Sequence, residues 1–117
     1  MKPKMVRITK KLINCGGVKR ELRLTADGWY TNGVWAVDRR RAKSSLPLPT
    51  ISHQSRVSDI LYMFKNATLG MKSEYWDKDV AKALLPLGVV IQKGKMGPII
   101  IVDSGRPVAV FMPRTAP

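Results

Sequence analysis

Positive charge is the feature that most constrains this chain. The sequence carries 21 Lys and Arg side chains against eight Asp and Glu, which gives a net charge of +13 with neutral histidine. An excess of this size works against any compact fold through self-repulsion, and an anionic partner usually offsets it. The excess is concentrated near the N-terminus, since residues 2–43 hold 12 basic and three acidic side chains, a net charge of +9. The sequence therefore predicts a polyanion-binding surface there, with nucleic acid, either DNA or RNA, as the first candidate partner.

The length and the apolar content indicate one core. The chain has 117 residues, of which 44% are hydrophobic, and this predicts a single domain over residues 1–117. No apolar run approaches the roughly 20 residues that span a bilayer, and no apolar segment of a signal peptide follows the basic N-terminus. The single cysteine allows no intramolecular disulfide. We therefore expect a cytoplasmic protein without a membrane partner, acting in the host cytoplasm if it is viral.

The first half of the chain has the pattern of a hairpin. Residues 18–26 alternate between apolar and polar side chains as a strand does, and Asp27-Gly28 is a strong hairpin signal. Residues 29–37 then make the return strand. Alternatively, Asn32-Gly33 is a second tight turn, which gives a meander of three short strands, and the pattern does not separate these two interpretations.

Three segments have helical features. Residues 5–14 show both a short strand-like run and apolar residues at helical spacing. A strand that runs into a short helix near Thr9 reconciles these two patterns. An apolar stripe at helical spacing predicts a helix that begins after Ser55 and stops near Gly70. The stripe consists of Val57, Ile60, Leu61 and Phe64. A further helix fits residues 74–85, with Ser73 as its cap.

The last third of the chain is predicted to be β. Val89–Ile91 make a short strand, and Pro98–Val102 pair with a return strand from Arg106 to Met112. Pro107 indicates that this last strand is an edge near its start, because proline has no backbone donor. The order of elements predicts an α+β domain with two β-hairpins and two to three short helices.

Three consecutive arginines in the segment from Asp38 to Lys43 are the sharpest functional feature. The planar fork of arginine fits phosphate bidentately, and aromatic side chains combined with arginine can stack bases. In the uninterrupted strand Trp29 and Trp35 share one face, which favours a core role for both. The predicted nucleic-acid-binding residues are Lys10, Lys11, Lys19, Arg20, Arg23, Arg39, Arg40, Arg41 and Lys43.

The sequence contains no catalytic constellation. His53 and Cys15 are the only histidine and the only cysteine, and neither has a second soft ligand nearby, so we expect no metal site. Asp77 and Asp79 on one helix would point roughly 200° apart, which excludes a carboxylate pair. With no set of nucleophile, base and orienting group, the sequence predicts no enzymatic activity and no cofactor.

Two segments resemble bacterial DNA sliding clamps, the ring proteins that hold a replicative polymerase on DNA. Residues 27–37, DGWYTNGVWAV, resemble a clamp hairpin, and residues 97–102 with 108–114 resemble the hairpin at the clamp C-terminus. Residues 55–61 resemble the clamp helix that precedes this hairpin. The resemblance covers roughly 30 of the 117 residues and implies a phage-encoded, clamp-like protein with a ring-forming or clamp-binding role. Residues 101–110 also resemble a hairpin of bacterial antitoxins.

Two functions follow as hypotheses. The first is a non-enzymatic nucleic-acid-binding protein that uses the basic hairpin of residues 18–43. The second is a protein-interaction module or viral inhibitor that binds an acidic surface of a host nucleic-acid-processing enzyme. Strong positive charge suits both partners.

Overall fold

Helices and strands are interleaved along the chain in a computed structural model that describes residues 4–15, 21–46 and 56–117. The strands are β1 (Val6–Ile8), β2 (Arg23–Leu24), β3 (Trp29–Thr31), β4 (Trp35–Asp38), β5 (Ala42–Ser44), β6 (Thr68–Leu69), β7 (Val89–Gln92), β8 (Ile99–Asp103) and β9 (Arg106–Phe111). The α-helices are α1 (Lys10–Asn14), α2 (Ser58–Leu61) and α3 (Lys78–Leu84), and 3₁₀ turns cover Arg39–Arg41, Tyr62–Asn66 and Leu85–Leu87. No helix in the described ranges has the length and hydropathy to cross a membrane. The predicted α+β class is confirmed.

One antiparallel sheet organises most of the chain. It has seven strands in the order β2-β3-β4-β9-β8-β7-β6, while β1 and β5 form a separate parallel pair. The middle strands β4, β9 and β8 supply most of the largest fully buried side chains. Burial of each such side chain stabilises the fold by about 1.5–3 kcal/mol.

The two faces of the sheet carry separate apolar clusters. Successive residues of β4 alternate between them, since Trp35 belongs to the larger cluster and Ala36 to the smaller one. The larger cluster also contains Leu12 of α1 and Leu84 of α3, so these two helices cover its face. The smaller cluster contains Trp29 and lies beside α2.

The chain forms the three-strand meander rather than the two-strand hairpin, and Asn32 makes its second turn. Its buried side chain accepts hydrogen bonds at Oδ1 from the backbone N–H groups of Val34 (2.9 Å) and Trp35 (3.1 Å). Gly33 has a φ of +92°, a conformation that favours glycine. Trp29 and Trp35 therefore lie on adjacent strands and in different clusters. The prediction that they share one strand face is wrong, because it assumed an uninterrupted strand.

The N-terminal segment forms a strand followed by a helix, as predicted. The change occurs at Thr9, whose Oγ1 accepts a hydrogen bond from the backbone N–H of Leu12 (3.3 Å). The strand predicted over residues 18–26 is observed only as the two residues of β2. Residues 16–20 lie outside the described part of the chain.

Helix α2 begins with a cap supplied from a distant turn. The carboxylate of Asp27 accepts hydrogen bonds from the backbone N–H groups of Val57 (3.3 Å) and Ser58 (2.9 Å). Ser55, after which this helix was predicted to begin, lies outside the described residues. The helix tightens into a 3₁₀ turn after its first turn and ends before Gly70.

Helix α3 begins later than predicted. Its cap is Asp77, whose Oδ1 accepts hydrogen bonds from the backbone N–H groups of the second and third residues after it (3.0 and 3.1 Å). The predicted start at residue 74 with Ser73 as cap is wrong. The N–H of Ser73 instead donates to the buried side-chain Oε1 of Gln92 (2.9 Å), which holds this segment against the sheet.

The C-terminal hairpin forms as predicted, although its last strand is internal to the sheet. β4 pairs with β9 only from Ala109 to Phe111. Among the described residues, Pro107 pairs only with Val102 of β8, so the prediction that this strand is an edge near its start is confirmed. The absence of a proline N–H therefore removes no hydrogen bond between strands at this position.

Candidate nucleic-acid interface

The arginine run forms a tight turn at the end of a buried strand. All four residues of β4 are buried, and its last residue, Asp38, accepts a hydrogen bond at Oδ1 from the backbone N–H of Arg40 (2.9 Å). Aspartate favours this capping position because its carboxylate satisfies a free amide. The turn Arg39–Arg41 is therefore anchored on the sheet, and it leads directly into β5.

Asp38 also fixes the side chain of Arg40. The Nε and Nη2 groups of Arg40 donate hydrogen bonds to Oδ1 (3.2 Å) and Oδ2 (2.9 Å) of Asp38. The Asp38 side chain is 9% exposed and that of Arg40 is 72% exposed, so a buried carboxylate anchors an exposed guanidinium. Burial acts to raise the pKa of Asp38, but the hydrogen bonds and charge of Arg40 outweigh it and hold that pKa below its ordinary value.

Arg41 and Arg39 have different surroundings. Arg41 Nη1 lies 2.7 Å from Asp103 Oδ2, and the Arg41 side chain is only 24% exposed. Arg39 is exposed, and its backbone N–H donates to the carbonyl oxygen of Gly28 (3.1 Å). No acidic group of the described residues forms an ion pair with Arg39. Within the run, Arg39 is thus the cation most available to an external anion.

The parallel pairing of β1 with β5 brings a further cation beside the run. Arg7 lies directly opposite Lys43 in the strand register, and both side chains are exposed. Across the described ranges, neither forms an ion pair. Arg7 was absent from the sequence-based site, because nothing in either short strand alone signals that the two strands pair.

The other predicted cations within the described residues lie on different elements. Lys10 and Lys11 are exposed on α1, just after β1, and Lys11 Nζ lies 3.7 Å from a carboxylate oxygen of Asp79. Arg23 of β2 lies 3.9 Å from Glu21. Exposed ion pairs of this length contribute little, so they leave both cations accessible. The predicted cations outside the described residues are Lys19 and Arg20.

Trp29 and Trp35 do not offer a surface for base stacking. They are 7% and 1% exposed, and Trp35 Nε1 donates a hydrogen bond to the carbonyl oxygen of Leu12 (3.3 Å). The predicted core role of both tryptophans is confirmed.

Two open clefts border the arginine turn. The cleft between the turn and the β8–β9 hairpin has a volume of about 400 Å³, and the cleft against the β2–β3 turn has a volume of about 460 Å³. Arg40 lines both of them, Arg39 lines the second, and Arg106 lines the first. Arg106 is a second cation that the sequence-based site missed, since only the pairing of β4 with β9 brings this hairpin to the turn.

A cysteine and two carboxylates converge where α1 meets the start of α3. One side-chain ligand atom each from Cys15, Asp77 and Asp79 lies within 4.8 Å of the other two. The prediction that Asp77 and Asp79 point apart is wrong, because Asp77 precedes the helix as its cap. Burial, and then the charges of the two aspartates, raise the pKa of Cys15 to about 11. The thiol therefore stays protonated and weakly nucleophilic at neutral pH. His53 lies outside the described residues.

No known protein family, curated protein or solved structure matches this chain. The segments that resemble sliding-clamp hairpins form β3–β4 and β8–β9, which lie side by side in the sheet through the β4–β9 pairing. The resemblance itself stays a prediction.

Proposed function

We propose that this is a non-enzymatic nucleic-acid-binding protein whose phosphate-contacting surface consists of Arg7, Arg39, Arg40 and Lys43. The observation that carries the proposal is the exposed pair Arg7–Lys43, which is continuous along β5 with the arginine turn. Like charges directly opposite each other on neighbouring strands destabilise the pairing. A bound polyanion removes this repulsion, so the surface is more favourable in a complex than alone.

The shape of the surface supports a polymeric anion. The cations follow one another along a turn and a strand, with Lys10 and Lys11 close by at the start of α1. A single small anion would leave most of them unneutralised, whereas duplex DNA presents one negative charge per roughly 1.7 Å of helix axis.

The test compares two variants of equal net charge. In the surface variant Arg7, Arg39 and Lys43 are replaced by Gln, and in the control variant the exposed Lys65, Lys82 and Lys93 are replaced by Gln. Fluorescence anisotropy then measures binding of single and double strands of about 20 nucleotides, as DNA and as RNA, over a range of salt concentrations.

We expect the wild type to bind duplex DNA with a log–log salt slope of about −4 from the four cations of this surface, or about −5 where Lys10 and Lys11 also contact phosphate. The surface variant should bind about 10-fold more weakly or worse, and its slope should flatten by about 2 to 3, since each phosphate contact contributes about 0.9. The control variant should lose much less affinity. Equal losses in the two variants would show that net charge matters and this surface does not.

An acidic protein surface is the alternative partner that the charge allows. If the wild type binds neither DNA nor RNA at low salt, the nucleic-acid proposal is wrong. Capture of an acidic protein that the surface variant no longer captures would then favour the interaction module.

A further inference from the structure

The cleft beside the β8–β9 hairpin has the composition of an anion pocket. Its volume of about 400 Å³ is within the range of small-ligand sites. The polar residues that line it are Asp38, Arg40, Arg41, Asp103, Ser104 and Arg106. Three guanidinium groups thus meet two carboxylates in one open cleft.

Arg40 borders this cleft with only one edge of its guanidinium in use. Asp38 occupies the edge formed by Nε and Nη2. A guanidinium has five N–H donors in a planar fork, and those of Nη1 donate no hydrogen bond within the described residues. Two donors on one planar edge match two oxygens of a phosphate. Because Asp38 is buried, the free edge is oriented before any ligand arrives.

Asp103 and Arg106 form the facing side of the cleft. Asp103 binds Nη1 of Arg41 at 2.7 Å, and the low exposure of the Arg41 side chain keeps it in place. Arg106 lies opposite Asp103 in the hairpin register and is exposed. No acidic group of the described residues forms an ion pair with Arg106. The charges of the other two arginines are balanced locally, so Arg106 gives the cleft its net positive charge.

We infer that this cleft holds one phosphate group of the bound nucleic acid between Arg40, Arg41 and Arg106. Asp38 and Asp103 are positioning residues, which hold Arg40 and Arg41 in the orientation that the phosphate needs. The inference rests on the proposed function, because the phosphate belongs to the nucleic acid. Arginines ordered in advance lose less conformational freedom on binding than free side chains do.

Replacing the carboxylate of Asp38 or Asp103 distinguishes the positioning of arginines from general attraction between the protein and the nucleic acid. Asp38→Asn and Asp103→Asn each raise the net charge by one unit, so attraction between net charges alone predicts tighter binding. Loss of positioning predicts weaker binding, because the arginine must then be ordered when the ligand binds. The two explanations differ in the sign of the effect.

The experiment measures binding of a single strand of about 12 nucleotides, with and without a 5′-phosphate, by fluorescence anisotropy. Asp59→Asn is the matched control, since Asp59 is an exposed carboxylate on α2 and its removal adds the same charge. We expect Asp38→Asn and Asp103→Asn to weaken binding about 5- to 10-fold and Asp59→Asn to leave it equal or tighter. Tighter binding by both positioning variants would overturn the inference.

A double-mutant cycle distinguishes positioning from a general structural effect. If Asp103 acts through Arg41, then Asp103→Asn should have little effect on binding in a chain that already carries Arg41→Gln. A full additional loss of affinity in that background would contradict the inference. Urea unfolding of each variant checks the fold, and if Asp38→Asn does not fold, the Asp103 and Arg41 cycle decides.

The two oligonucleotides distinguish the sources of the phosphate. If the wild type binds the phosphorylated strand more tightly and Arg106→Gln abolishes this preference, the phosphate in the cleft is the one at the end of a strand. If the wild type binds both strands equally and Arg106→Gln weakens both, the phosphate in the cleft belongs to the nucleic-acid backbone. If the wild type binds nucleic acid and Arg106→Gln has no effect on either strand, the inference is wrong and the proposed function stands. If the wild type binds no nucleic acid, the proposed function itself is wrong.

Discussion

At the scale of single residues, aspartate side chains cap the start of helices and turns by accepting hydrogen bonds from backbone N–H groups. Asp27 caps α2, Asp38 caps the arginine turn and Asp77 caps α3. Three of the eight acidic residues of the chain therefore accept hydrogen bonds from backbone N–H groups. Few carboxylates remain to neutralise the surface, which leaves several arginines and lysines without acidic partners among the described residues.

Asp27 gives a prediction for stability and its pH dependence. Burial acts to raise the pKa of Asp27, but hydrogen bonds from Thr25 and from the backbone N–H groups of Ser58 and Val57 outweigh it and lower the pKa. A lowered pKa in the folded state stabilises the fold above the unfolded value of about 3.9, and this stability is lost as the pH falls through the folded pKa. Both carboxylate oxygens of Asp27 accept a backbone hydrogen bond, whereas Asn offers only one acceptor oxygen. Asp27→Asn should therefore reduce the free energy of unfolding at pH 7 by about 1 kcal/mol, as measured by urea unfolding.

The same series tests the pH dependence. Between neutral pH and about pH 3, the wild type should lose more stability than Asp27→Asn, because the variant lacks the titrating group. Asp59→Asn on the same helix is the control, and its stability should change little. An Asp27→Asn variant as stable as the wild type at pH 7 would show that the second carboxylate oxygen and the negative charge of Asp27 contribute nothing to this cap.

At the scale of elements, the parallel pair of β1 and β5 combines a buried face with a like-charge face. Val6, Ile8 and Ala42 are buried on one side, and Arg7 and Lys43 face solvent on the other. The apolar side chains stabilise the pairing while the two cations oppose it. This strand pair is therefore less stable than it would be without the two facing cations, but it presents a cationic surface to solvent.

This arrangement predicts opposite effects on stability and binding from one substitution. Arg7→Glu places an acidic residue directly opposite Lys43 and should raise the free energy of unfolding by roughly 0.2–1 kcal/mol, as measured by urea unfolding. The same variant should bind nucleic acid more weakly, as measured by anisotropy. Arg7→Gln is the control, with a smaller change in both quantities. A variant that is both less stable and equally tight in binding would contradict the role given to this pair.

At the scale of the whole molecule, the net charge of +13 determines how the fold responds to its solvent. The five ion pairs among the described residues engage only a minority of the cations. Repulsion between the remaining cations therefore lowers the stability of the free protein, and salt or a polyanion should relieve it.

Salt should consequently raise the melting temperature. A rise in sodium chloride from about 20 to 200 mM shortens the screening length to roughly 7 Å. If this relieves about 1 kcal/mol of repulsion, the melting temperature increases by about 4 °C, as measured by differential scanning calorimetry. The variant with Gln at Lys65, Lys82 and Lys93 should show a smaller increase. A melting temperature that falls with salt would show that attractive ion pairs outweigh the repulsion.

The sequence by itself determined the features that depend on near neighbours in the chain. Asp27-Gly28 predicted a turn, Thr9 marked the change from strand to helix, and the C-terminal hairpin followed from two apolar runs around a turn. The α+β class and the excess of charge near the N-terminus follow from the same local information. These features could be predicted because strand alternation and turn chemistry act over a few residues.

Only the tertiary structure decided which distant groups meet. It paired Arg7 with Lys43, turned Asp27 toward a helix 30 residues away, and brought Arg106 to the arginine turn. None of these contacts leaves a local pattern, because each depends on how all the elements pack together around the two apolar clusters. The composition of the basic surface was therefore readable in the sequence, while its arrangement, with some arginines anchored by aspartates and others free, was decided by the fold.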